Sequence, residues 1–204
     1  MSVVDAAWVP DDDPERDWSI AFALAAEWVD DRCHKEGSSA VLVTNALGDF
    51  GMPEMRAFET RHTRTSRRAG NARRVRGVGP VLAYVPDADD LDFALGLARA
   101  SSIAVVESVA FPVLGWASFL GAVNLVSDEP TPSLPDAVAH AVDRLKFYGN
   151  NGFGDSFGKS RAKAVLAELR ATDDLDRDLL VSAVLGAGLS SRAAKALSRL
   201  VDKL

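Results

Sequence analysis

PVLAYVPDADDLDFALGLARASSIAVVE, Pro80 to Glu107, reads as strand, helix, strand. Its ends, PVLAYV (Pro80 to Val85) and SIAVVE (Ser102 to Glu107), are short apolar runs rich in β-branched residues. Runs of that kind suit strands buried on both faces of a parallel sheet. Between them Leu91, Ala94, Leu95 and Ala98 recur at helical spacing. Pro86 and Asp87 mark the helix start, with Asp87 as N-cap and Asp89 and Asp90 favoured by the positive helix end. Two parallel strands joined by a helix close as a right-handed crossover.

The same pattern extends upstream. AVLVTN, Ala40 to Asn45, is a third strand of the buried type, and the loop LGDFGMPEM after it places Pro53 at a helix start with Met55 and Phe58 as anchors. Before it, Asp17 can cap a helix reaching Glu36, with Trp18, Phe22, Ala25 and Val29 on one face and Gly37 as the stop. Residues 1–16 read as an acidic tail containing Asp11, Asp12, Asp13 and Glu15. Downstream, Phe111 to Val126 is apolar throughout, which suggests a helix over 112–120 and a further strand over 121–126. Ser127 to Pro135 reads as a linker, and residues 134–204 carry four amphipathic helical patterns. The expected fold is α/β, with a small, mostly parallel sheet of three or four strands over 17–126. A helical region over 134–204 follows, and the short linker lets it pack on the sheet as part of one domain.

Composition narrows the function classes. The chain has 204 residues, 48% of them hydrophobic and 25% charged, which excludes collagen, wholesale disorder and a disulfide scaffold. No apolar run is long enough to span a membrane, and the opening residues lack the basic and apolar regions of a signal peptide. The single cysteine, Cys33, cannot close an internal disulfide, so a reducing cytoplasm is the expected location.

The most unusual feature is charge placement. Arg56, Arg61, Arg64, Arg67, Arg68, Arg73, Arg74 and Arg76 face only Glu59, a net of +7 in a chain whose total is −6. Arginine presents a planar fork that fits phosphate and carboxylate and stacks on bases. From Glu59 to Gly77 the only apolar side chains are Ala69, Ala72 and Val75, so the segment is expected on the surface. Binding of nucleic acid or phosphate through Arg61, Arg64, Arg67, Arg68, Arg73, Arg74 and Arg76 is the leading expectation. The alternative is an interaction module, its arginines meeting an acidic protein or the chain's own acidic tail.

Ligands of open parallel sheets bind outside the carboxyl ends of the strands. Here those ends carry Thr44, Asn45, Asp87 and Glu107, a crevice from which the arginine segment also leaves. Asp87, Asp89 and Glu107 would offer oxygen ligands to magnesium, making a metal-dependent phosphoester enzyme a weaker third option. Helix capping explains those aspartates without a metal, so no cofactor or metal is expected.

Other motifs carry less. GNNGFGDSFGKS, Gly149 to Ser160, resembles a phosphate-binding P-loop, but Phe153 stands where the first glycine belongs and a helix, not a strand, precedes it. His34, His62 and His140 do not form a zinc set with Cys33. His62, among arginines, is a candidate general base or a plain surface histidine. The final two helices have a helix–turn–helix look, with Arg192, Lys195, Arg199 and Lys203 on the last, a pattern any helical hairpin shares. Phe147, Tyr148, Phe153 and Phe157 around the glycine loop either seal a helix joint or offer rings to bases.

Overall fold

A computed structural model describes residues 3–46, 48, 50–69, 79–149 and 152–204. The chain forms two compact units: one of residues 1–111 and 122–130, the other of residues 112–121 and 131–204.

The first unit is α/β. Its elements are β1 (Ala6–Val9), α1 (Trp18–Glu36), β2 (Val41–Thr44), α2 (Pro53–Glu59), β3 (Thr63–Thr65), β4 (Val81–Tyr84), α3 (Ala88–Leu97) and β5 (Ile103–Val106), with α4 (Leu114–Leu120) of the second unit intervening before β6 (Val123–Asn124) and β7 (Glu129–Pro130). Among the described residues the strands form one seven-stranded sheet in the order β3-β2-β4-β5-β1-β6-β7. Every pairing is parallel except β6 with β7.

The expected three or four strands are therefore too few, and the reasons are local. Residues 6–9, read as part of a tail, form β1 in the middle of the sheet between β5 and β6. The sequence AAWV has weak intrinsic strand preference, and pairing on both sides supplies what propensity does not. β3 lies inside the arginine segment: Thr63 and Thr65 flank Arg64 on an edge strand, and Thr65 is buried. The segment is thus not wholly a surface connection. β7 lies in the stretch read as a linker and pairs with β6 as a short hairpin.

The register builds the core. Leu42, Leu82 and Ala104 stand side by side across β2, β4 and β5, and Tyr84, Val106 and Val9 form the next row. Both rows face Phe22, Ala25 and Val29 of α1 and Met55 and Phe58 of α2. α1 forms where expected, capped by Asp17 accepting from the Ser19 amide at 2.7 Å and ended by Gly37 at φ +63°. Pro53 opens α2, and Asp87 caps α3 by accepting from the Asp90 amide at 2.8 Å. α1 and α2 carry the chain toward the β3 edge, whereas α3 carries it back, so right-handed crossovers put α3 on the opposite face.

The second unit is helical: α4, α5 (Asp136–Tyr148), α6 (Ser156–Ala171), α7 (Arg177–Gly186) and α8 (Ser191–Val201). α4 packs closely on α7, because a Cβ on Gly115 would fall 1.8 Å from the Leu179 carbonyl oxygen. Of the apolar stripes on these helices, Val138, Val142, Leu145, Ala162, Val165, Leu166, Leu169, Ala183, Val184, Ala193 and Leu197 are buried, whereas Leu175, Leu179, Leu200 and Val201 are half-buried and Leu204 is exposed. No helix among the described residues is long and apolar enough to cross a membrane.

Candidate functional site

The arginines of the basic segment do different things. Arg64, on edge strand β3, is mostly buried and uses its whole fork. Its Nε donates to Thr44 Oγ1 at 3.1 Å, Nη1 to Glu59 Oε1 at 2.8 Å, and Nη2 to the carbonyls of Ala46 and Gly48 at 2.9 and 2.8 Å. Its guanidinium also lies 5.0 Å from the Phe50 ring centre. Arg64 therefore shapes the loop after β2 rather than waiting for a ligand. Arg61 pairs with Asp30 at 2.8 Å. Arg67 is looser, 3.3 Å from Asp89 and 3.7 Å from Asp90, and Arg68 is exposed with no acidic partner among the described residues. Arg56 is exposed on α2. Arg73, Arg74 and Arg76 lie outside the described residues.

Among the described residues, the acidic tail pairs with none of these arginines. Asp12 pairs with Arg16 at 2.7 Å, Asp11 accepts from the Val109 amide at 2.8 Å, and Asp17 is the α1 cap. The partners are instead Glu59, the one acid within the segment, and Asp30, Asp89 and Asp90, which sequence spacing did not reveal because they come from α1 and α3.

Two pairs of neighbouring strands have onward connections that diverge, and both gaps open at the carboxyl edge of the sheet. The gap between β1 and β5 is stitched shut. The Asp11 amide donates to Glu107 Oε2 at 2.9 Å, the Glu107 amide to the Val9 carbonyl at 3.0 Å, and the Val109 amide to Asp11 Oδ2 at 2.8 Å. Glu107 is buried in this seal.

The gap between β2 and β4 is built differently. Thr44 ends β2, fully buried, and donates to the Ala46 carbonyl at 2.6 Å, while Asn45 beside it is exposed. Tyr84 ends β4, and three rings meet it edge-on: buried Phe22 at 5.7 Å, Phe50 at 5.6 Å and Trp18, the first residue of α1, at 6.3 Å. Tyr84 is buried, but Trp18 and Phe50 are 42% and 38% exposed. The Tyr84 hydroxyl donates to the Met52 sulfur at 3.4 Å, and burial, with the charge of Asp17, raises its pKa. The next residue, Val85, has φ +49°. A β-branched residue in that region is strained by about 1–3 kcal/mol, and such strain clusters at ligand sites. Beyond it stand Asp87, exposed as the α3 cap, and Asp90, buried, whose carboxyl pKa is raised by burial and by Asp87, with Arg67 acting against the rise. Thr44, Asn45, Arg64, Arg67 and Asp87 thus meet at one edge, while Glu107 belongs to the other gap. Trp18, expected on the buried face of α1, is instead exposed because it is the first residue of that helix, and Phe50 and Tyr84 escaped sequence reading as site residues. Their one signal was position, since each sits at or just beyond an element end on the carboxyl edge.

Among the described residues no three His, Cys, Asp or Glu side chains gather to hold a metal, and the proposed trio of Asp87, Asp89 and Glu107 is split between the two gaps. His62 is neither on the surface nor available as a base. Its Nδ1 accepts from the Ala40 amide at 3.1 Å, its Nε2 meets Asp30 Oδ1 at 2.6 Å, and its ring packs on Phe58 at 4.2 Å. In the glycine loop Phe153 is buried, whereas Phe147 and Phe157 are exposed, so the rings do not all seal the joint. Arg192, Lys195, Arg199 and Lys203 are exposed on or just after α8. Two open grooves of about 240 and 210 Å³ lie in the helical unit, below the usual volume of small-molecule sites. No protein-family model, no curated protein and no solved structure matches the chain.

Proposed function

We propose that the protein is a binder rather than an enzyme, taking a phosphate-bearing ligand of the nucleotide class, free or as the end of a nucleic-acid strand, at the carboxyl edge between β2 and β4. The observation that carries this reading is the pairing of exposed aromatic faces with loosely held arginine at a sheet switch point. Trp18 and Phe50 flank Tyr84, and Arg67 and Arg68 leave β3 on the same edge. Flat rings stack on aromatic faces, and a guanidinium fork grips phosphate. Arg67, itself partly exposed, exchanges its contact with half-buried Asp89 for a phosphate at low cost, and the 3.7 Å separation from buried Asp90 is beyond a hydrogen bond. Arg64 holds the loop that carries Phe50 and contributes no direct ligand contact.

Isothermal titration with nucleoside triphosphates and a short 5′-phosphorylated oligonucleotide, at low and moderate salt, tests this. Expected are binding that weakens with salt and a loss of about ten-fold or more in Arg67→Ala/Arg68→Ala and in Trp18→Ala. Absence of binding by the folded protein at low salt refutes the reading.

A second reading, an interaction module for an acidic protein, is favoured by one observation: Arg61 and Arg67 already bind carboxylates, those of Asp30 and Asp89. It predicts that no nucleotide binds and that an acidic polypeptide competes for Arg67.

A further inference from the structure

The helical unit carries a second concentration of aromatic and basic side chains, distant in sequence from the arginine segment. Phe147 and Tyr148 end α5, and Phe157 lies in the first turn of α6. The Tyr148 ring meets Phe147 at 5.4 Å and Phe157 at 6.4 Å, both edge-to-face. Phe147 is 79% exposed and Phe157 62%. Arg161, one turn beyond Phe157, lies with its guanidinium 5.2 Å from that ring. Buried Phe153 and Gly149 fill the joint beneath, with the Phe153 ring in the space a Cβ on Gly149 would need. The joint is therefore closed without Phe147 and Phe157, whose exposure has no packing purpose.

Charge indicates what would cover these rings. Between residues 144 and 163 there are five basic side chains, Arg144, Lys146, Lys159, Arg161 and Lys163, against Asp155 alone, in an acidic chain. Asp155 is occupied as the α6 cap, accepting from the Gly158 amide at 2.6 Å. Arg144 is tied to Glu168, leaving Lys146, Lys159, Arg161 and Lys163 exposed, with Arg161 against the Phe157 ring. Exposed rings bordered by cations suit a chain of alternating flat bases and phosphates. A duplex hides its base faces, so the fit is to a single strand.

We infer that Phe147, Tyr148 and Phe157, with Arg161, form a stacking platform for single-stranded nucleic acid. The platform stands on residues separate from the β2–β4 edge, and it survives or fails independently of that site.

The test is fluorescence anisotropy of labelled oligo(dT) and oligo(U) of about 12 nucleotides, a length within the range one such surface covers. Three proteins are compared: wild type, Phe147→Ala/Phe157→Ala, and Arg67→Ala/Arg68→Ala. The two phenylalanines are exposed, so the first variant should unfold at the wild-type temperature, which circular dichroism checks. Expected is salt-sensitive binding that drops ten-fold or more in the phenylalanine variant, persists in the arginine variant, and exceeds binding to a duplex of equal length. Equal affinity in wild type and the phenylalanine variant overturns the proposal, as does preference for the duplex. Binding to anionic phosphatidylserine vesicles with none to the oligonucleotides overturns it in favour of a membrane surface. Self-association that disappears in the phenylalanine variant, again with no oligonucleotide bound, overturns it in favour of a second copy of the chain.

Discussion

Replacing Arg64 with alanine removes four hydrogen bonds from one fork. The Nε–Thr44, Nη1–Glu59, Nη2–Ala46 and Nη2–Gly48 contacts all go, together with the approach to Phe50. A hydrogen bond to a charged group contributes about 1.5–3 kcal/mol when buried. The sum overstates the loss, because Ala46 and Gly48 are exposed and their carbonyls recover water, and Glu59 is partly exposed and does likewise. Thr44 is buried, and its hydroxyl keeps the bond to Ala46. The net cost is therefore about 2–3 kcal/mol. Arg64→Lys keeps the charge but not the fork and recovers less than half of it. Urea unfolding followed by tryptophan fluorescence is a suitable assay, since Trp8, Trp18 and Trp28 lie in the α/β unit and Trp116 in the other. A cycle with Glu59→Gln should give a coupling of about 1 kcal/mol. A cost for Arg64→Ala below about 0.5 kcal/mol, the range of an ordinary surface residue, would refute the argument that Arg64 organises the β2 loop.

Asp90 gives a pH test. Its carboxyl pKa is raised from 3.8 by burial and by Asp87, so the folded chain holds this proton more tightly than the unfolded chain. Its contribution is fully present below the unfolded value and is lost as pH rises through the folded one. Asp90→Asn should therefore be at least as stable as wild type at neutral pH, with any advantage shrinking as pH falls through the raised folded value and gone below about pH 3.8; a growing advantage on acidification would contradict this. Gly115→Ala drives a methyl against the Leu179 backbone and should cost about 1–3 kcal/mol, read as a lower thermal midpoint of the helical unit. The Cys33 thiol, pushed up to about 11 by burial and then by Asp30 and Glu36, should resist iodoacetamide at mildly alkaline pH until denaturant is added; mass spectrometry of the native protein would detect early modification.

The elements with strong local signals were legible in the sequence. β2, β4 and β5 are continuous apolar runs, and α1 and α3 declare both their caps and their buried faces. β1 and β3 were not, because AAWV and TRT have no pattern that distinguishes a strand from a connection, and only their neighbours make them strands. The site was half legible for the same reason. Carboxyl-edge residues such as Thr44 and Asp87 follow from strand order, and the arginine segment is visible in composition. Which arginines are spent internally depends on Asp30, Glu59, Asp89 and Asp90, brought in by three helices. Charge counting treated Arg64 and Arg68 alike; the fold makes one a buried clamp and leaves the other exposed.

The most direct test of the central claim is a nuclear magnetic resonance titration of the 15N-labelled protein with a nucleoside triphosphate and, separately, with inorganic phosphate. The nucleotide should shift the Trp18 indole N–H, the Phe50 and Val85 amides and the Arg67 side chain, leaving Glu107 and Asp11 unmoved. Phosphate alone should perturb Arg67 more than the aromatic residues. Shifts scattered over the exposed lysines and arginines, with Trp18 and Phe50 silent, would contradict a site at the β2–β4 edge.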